Sequence, residues 1–277
     1  MNELDLSVFD VYQLKEIKKG LEDNVDVSVY AKSEFYHWQM EEIRLGLAND
    51  IDVSIYANPE FDEGQMEQIR YGLEQGLDVS AYAKPAFDKE QMWQIRFGLE
   101  KGIDVSAYAK SKFNELQMAE IRLGLEQGLD VGVYAKSEFD NWQMTQIRLG
   151  LEQGLDVSVY TKPEVDFDGG QMEQIRFGLE SGLDVSVYAK SDFCMGQMEQ
   201  IELGLESGVD VDNYVNPMFD EFQMMEIRFG LESGLDVSAY AKPEFNCKQM
   251  QEIRLELNPV SKSINDKLCD EIQALLK

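Results

Sequence analysis

The sequence predicts an all-α fold: an α-solenoid of about ten long-helix/short-helix repeats with a C-terminal capping helix. Three observations predict it. First, the pair Gln-Met, or Gln-Leu once, recurs at Gln13, Gln39, Gln65, Gln91, Gln117, Gln143, Gln171, Gln197, Gln223 and Gln249. Every step is 26 residues except the sixth, which is 28 because two extra residues lie within Glu164 to Phe167. A fixed period of this length marks stacked supersecondary units. Second, each repeat carries apolar residues at helical spacing. Third, each long apolar stripe ends at a residue type suited to a left-handed helix stop. The organisation read from this is a partial repeat over residues 1–12, ten repeats over 13–258, and a capping helix over 259–277.

Residues 61 to 85, FDEGQMEQIRYGLEQGLDVSAYAKP, show the elements in order. Asp62 and Gln65 have capping-box spacing: a carboxylate for the unpaired N–H groups of the first turn, and an amide reaching back. Most repeats have Asp or Asn there, and Tyr36 and Cys194 are the weak caps. Met66, Ile69 and Leu73 follow at i, i+3, i+7, the stripe of a helix of three to four turns. Gly76 stops it. The stop is Gly in the other repeats apart from Asn24, Asp50 and Asn258, residue types that tolerate the left-handed conformation. Asp78 then caps a short second helix, on which Val79, Tyr82 and Ala83 share one side. Phe87 leads into the next long helix as a hydrophobic staple.

A second glycine sits inside nine long helices: Gly20, Gly46, Gly72, Gly98, Gly124, Gly150, Gly178, Gly204 and Gly230. Each costs about 1 kcal/mol against Ala, which predicts a close backbone approach between stacked helices. The tenth repeat has Glu256 there, where the stack ends. At the chain's start, MNELDLSVFD reads as the second half of a repeat. Near its end, SINDKLCDEIQALLK places Ile264, Leu268, Ile272 and Leu275 at helical spacing, as expected of a cap over the last core face.

Composition narrows the function. The chain carries 53 acidic and 25 basic residues, a formal charge of −28. That disfavours direct contact with nucleic acid or anionic membranes and favours basic partners. No apolar run approaches the roughly 18 residues of a spanning helix, and the start lacks a basic n-region. A cytoplasmic location is therefore expected. The three cysteines form no disulfide or metal pattern. One histidine, His37, and no phosphate loop, catalytic triad or metal motif predict a non-enzymatic protein without cofactors.

Charge is concentrated in two repeats. Residues 39–64 hold seven acids and one base, among them Glu41, Glu42 and Asp50. Residues 197–222 hold seven acids and no base: Glu199, Glu202, Glu206, Asp210, Asp212, Asp220 and Glu221. Elsewhere the Arg after Ile (Arg44, Arg70, Arg96, Arg122, Arg148, Arg176, Arg228, Arg254) predicts an ion-pair ladder with acids on its own helix and with capping Asp residues of adjacent repeats. In the eighth repeat that Arg is Glu202, read as a charge change at a surface position, and the Lys that follows YA is Asn216. Trp38, Trp142 and Phe222 share one place, just before Gln, where other repeats have Gly, Glu, Leu or Lys. That range predicts exposed side chains and candidate interface anchors.

The wording FDxxQMxxIRxGLExGLDVSxYAxP, spanning residues 5–258, resembles short helical repeats in proteins of bacterial phages, plasmids and conjugative elements, sometimes beside antirestriction or polyvalent domains. The resemblance implies a mobile-element setting. Together with the charge it leads to an expected anti-defence role: blocking the basic nucleic-acid groove of a host nuclease or CRISPR effector by mimicry. Duplex DNA carries one charge per about 1.7 Å, roughly twice the density of this chain if its repeats stack about 9–10 Å apart. Mimicry is therefore expected to be local. A general scaffold or peptide-binding solenoid is the alternative.

Overall fold

A computed structural model describes residues 5–162, 165–258, 263, 267, 268 and 272. It shows an all-α solenoid of repeats, with ten α-helices and no strand among the described residues. The chain forms two compact units, Met1–Met144 and Thr145–Lys277. In the first unit α1 (Val11–Glu22), α2 (His37–Ala48), α3 (Glu63–Glu74), α4 (Lys89–Glu100) and α5 (Glu115–Glu126) follow one another, and α6 (Asn141–Glu152) begins at its end. The second unit continues with α7 (Gly169–Glu180), α8 (Met195–Glu206), α9 (Glu221–Glu232) and α10 (Cys247–Leu257). Within each unit successive helices pack side by side, α1 through α5 in the first and α7 through α10 in the second.

Between long helices runs a three-residue 3-10 turn, such as Val79–Ala81, capped by the Asp before it through the backbone N–H two residues on. Val79, Tyr82 and Phe87 of that segment are buried and join Met66 and Ile69 in the core. Leu73, expected on the same stripe, is only half-buried. Burial of each such large side chain stabilises by about 1.5–3 kcal/mol, and the same five positions supply it in repeat after repeat. Residues 5–9 form the same capped turn, with Asp5 accepting from the Ser7 N–H at 3.0 Å.

The capping boxes form as the spacing predicts. Asp88 Oδ1 accepts from the Gln91 N–H at 2.7 Å, and Gln91 Oε1 accepts from the Asp88 N–H at 2.9 Å. At the weak caps Tyr36 and Cys194 only the glutamine arm is made, at 2.8 Å in each. The glutamine also acts across repeats. Its Nε2 donates to the carbonyl of the next repeat's Phe, Gln91 to Phe113 at 2.6 Å and Gln197 to Phe219 at 2.5 Å. One side chain therefore starts its own helix and pins the following repeat.

Three expectations about the frame need correction. The glycine inside the long helix does not admit a neighbouring backbone. It seats the Tyr of its own repeat, whose hydroxyl donates to a carbonyl of the same helix, as Tyr108 does to Gln94 at 3.2 Å. Asn258 is not a left-handed stop: its φ is −88°, whereas Asn24 and Asp50 have φ of 57° and 56° and Gly76 has 70°. The third concerns the arginine ladder, described below. Most of the predicted C-terminal capping helix, including Ile264 and Leu275, lies outside the described residues. Leu268 and Ile272, which are described, are exposed. No helix among the described residues is long and apolar enough to cross a membrane.

Candidate functional site

The candidate site interrupts the regular frame of the repeats. Most ladder arginines sit beside the core with the guanidinium held at two ends. Nη1 reaches the Glu one turn on, Arg70 to Glu74 at 2.6 Å and Arg228 to Glu232 at 2.5 Å, with Arg96–Glu100, Arg122–Glu126 and Arg176–Glu180 alike. Nε reaches back to the preceding repeat, and its partner is the Gln or Glu three places after that repeat's Gln-Met glutamine. Arg96 meets Gln68 at 3.0 Å, Arg122 Gln94 at 3.0 Å, Arg176 Gln146 at 2.9 Å and Arg228 Gln200 at 3.3 Å. Where the acceptor is acidic the bond is an ion pair, Arg70–Glu42 at 2.8 Å and Arg254–Glu226 at 2.7 Å. The inter-repeat partners are therefore these helix residues rather than the capping Asp residues the sequence suggested. Arg44 has one acid beyond this scheme, Asp23 at the end of α1, at 2.8 Å.

Glu202 takes the ladder position in α8, and it is not a surface residue: it is 7% exposed. The sequence expectation fails because the position lies in the seam between helices, where a long arginine normally reaches its partners. No donor among the described residues hydrogen-bonds the Glu202 carboxylate. Burial, followed by the charges of Glu206, Glu199 and Glu180, pushes its pKa up from 4.5 to about 7. Gln174, the amide that faces a resident arginine in other repeats, is 9% exposed. Its side chain likewise has no hydrogen-bond partner among the described residues.

The second change in this repeat is ordinary. Asn216 Oδ1 accepts from the Met218 N–H at 3.0 Å, as Asn58 Oδ1 does from the Glu60 N–H at 3.1 Å. Both precede a proline, and the short amide closes that turn.

The other predicted residues of the eighth repeat gather on the second compact unit. Glu199 and Glu206 are exposed and share the Glu202 stripe of α8. Asp210 and Asp212 are exposed on the turn that follows, Asp210 serving as its cap. Asp220 caps α9, and Glu221 and Phe222 stand in its first turn. Glu199, Glu221 and Phe222 line one shallow cleft with Met195 and Met225. Met195, Met218 and Phe222 are exposed, so an apolar strip runs beside the acids.

Trp38, Glu41, Glu42, Asp50 and Trp142 belong to the first unit. Trp38 and Trp142 are exposed, as is Phe222. Trp38 contacts His37, ring centroids 4.3 Å apart, and His37 stacks on Tyr12 at 5.0 Å. The two glutamates are committed to neighbours: Glu42 to Arg70, and Glu41 to Arg44 at 3.7 Å. Asp50 is exposed at its left-handed stop. The acids of the second repeat are thus partly engaged in its frame, whereas the eighth repeat has no cation of its own to engage them.

Sequence reading missed Gln174, Phe177 and Glu180, which complete the surroundings of Glu202. They lie one repeat upstream, and the 28-residue offset between an arginine and its acceptor points to Gln174 alone. Among the described residues no group of three or more His, Cys, Asp or Glu side chains is arranged to hold a metal ion. Comparison with protein-family models, curated proteins and solved structures gives no match.

Proposed function

We propose that the chain is a non-enzymatic protein-binding solenoid that uses the eighth repeat to engage a basic partner. The observation that supports this most is the interrupted ladder. Seven acids stand with no base in residues 197–222, and the one change that breaks the frame, Glu202, removes the cation that elsewhere neutralises them. Exposed Glu199, Glu206, Asp212 and Asp220 present this charge to solvent, where it attracts basic surfaces over about a Debye length.

The partner proposed is a nucleic-acid-processing enzyme or effector of a bacterial host, with its basic groove occupied in place of DNA or RNA. The mobile-element resemblance supports the anti-defence setting, and the cytoplasm is where such a groove is met. Competition tests it. A partner held by the chain is expected to be released by duplex DNA or RNA and to lose its own nucleic-acid binding in the chain's presence. Simultaneous binding of both would contradict the reading.

A scaffold reading is favoured by a different observation, the apolar strip of Met195, Met218 and Phe222. Under that reading Phe222→Ala weakens binding strongly and nucleic acid has no effect.

A further inference from the structure

We propose that the vacated arginine place of the eighth repeat is a socket for the guanidinium of an arginine supplied by a partner protein. This rests on the reading that the repeat meets a basic protein, and it names the group recognised. Three features of the socket match what the resident Arg96 and Arg122 meet.

The first is the amide of Gln174, a residue 9% exposed, which makes no hydrogen bond among the described residues and reaches solvent. Its counterparts Gln68, Gln94, Gln146 and Gln200 each accept from an arginine Nε. The second is the carboxylate one turn on. Glu206 stands where Glu74, Glu100, Glu126, Glu180 and Glu232 each take an Nη1. Among the described residues Glu206 instead accepts only the Ser181 hydroxyl, at 3.2 Å.

The third feature is an aromatic face. Where the residue after the arginine is aromatic, the next repeat's arginine lies over its ring: Arg96 over Tyr71 at 5.7 Å, Arg122 over Phe97 at 4.8 Å and Arg254 over Phe229 at 5.5 Å. Phe177 is the fourth such ring and has its own Arg176 at 4.4 Å. The next repeat's residue at the ladder position is Glu202, so the second cation is missing. Phe177 is 38% exposed, so its ring is open to solvent.

The place thus keeps an amide acceptor, a carboxylate and a ring face, and adds the Glu202 carboxylate. A planar guanidinium satisfies all of them, with two forked hydrogen-bond ends and a face to stack; a lysine ammonium satisfies fewer at a time. The surrounding charges favour it. Glu199 and Glu206 lie on α8 itself. On α7, Glu180 is paired with Arg176. The Tyr188 phenol, from the turn after α7, lies close by. On α9, Arg228 is already held by Gln200 and Glu232.

Full-length protein with labelled Phe and Glu side chains, titrated by NMR with acetyl-Gly-Arg-Gly-amide and its lysine analogue, tests the socket. The arginine peptide is expected to shift the Phe177 ring saturably, to lower the Glu202 titration midpoint, and to bind about ten-fold more tightly than the lysine peptide. Glu202→Arg fills the place with a side chain the frame accepts elsewhere and is expected to abolish the shift. Phe177→Leu should weaken the arginine peptide several-fold. Equal affinity for the two peptides, unchanged binding to Glu202→Arg, or no saturable Phe177 shift would overturn the socket. In each of those cases retained, salt-sensitive capture of a basic partner would leave the broader reading standing. Peptide docking without any such capture would fail the broader reading alone.

Discussion

The hydroxyl of Tyr108 occupies the space that a side chain at Gly98 would need. A methyl added there would overlap the phenol oxygen and come within 3.1 Å of Val105. The glycine that weakens nine of the long helices is the seat for a buried tyrosine whose hydroxyl must find a carbonyl. Gly98→Ala is therefore expected to destabilise by about 1–3 kcal/mol, despite a gain of about 1 kcal/mol in helix propensity. Tyr108→Phe removes the oxygen that the new methyl would strike. The double variant should be less destabilised than the sum of the singles by roughly 1 kcal/mol in chemical denaturation.

Gln91 joins two repeats through one amide, so its loss should exceed that of an ordinary cap. Asp88→Ala removes one cap acceptor and is expected to cost about 1 kcal/mol. Gln91→Glu keeps the acceptor for the Asp88 N–H but replaces the donor to Phe113 with a buried charge. It should cost about 2–4 kcal/mol. Parallel urea titrations of the two variants check the order.

Stability should depend on pH through Glu202. Its folded pKa is raised from 4.5 to about 7 by burial and acidic neighbours, so between those values the folded state binds more protons than the unfolded one. Stability from this group is then full below about pH 4.5, falls as pH rises, and is lost above about 7. Glu202→Gln removes the charge without changing size. It should match wild type near pH 4 and exceed it above pH 7, by at most about 3 kcal/mol. A constant difference across that window, read by thermal unfolding, would contradict the assignment.

The frame was legible because it is local. Capping spacing, the Met–Ile stripe and the left-handed stop each follow from residues within one repeat, and ten copies repeat the signal. Three features were not legible, for a common reason. The Tyr–Gly seat spans ten residues, the arginine's acceptor lies 28 upstream, and the burial of Glu202 depends on the helix packed against it. Each is set by how segments meet, which periodicity does not encode. Glu202 stands out in sequence as a reversed charge; its weight comes from Gln174 and Phe177, residue types that recur at the same places in other repeats.

The measurement that bears most directly on function is the salt dependence of partner affinity, with the exposed acids reversed. Glu199→Lys with Asp212→Lys changes charge where both side chains are exposed and keeps Glu202 and Glu206 in place. The acidic repeat as contact surface predicts that wild-type affinity falls about ten-fold or more between 50 and 300 mM salt. It also predicts that the reversed variant binds at least ten-fold more weakly at low salt while remaining folded. Unchanged affinity in the folded variant, together with a flat salt profile, would contradict it.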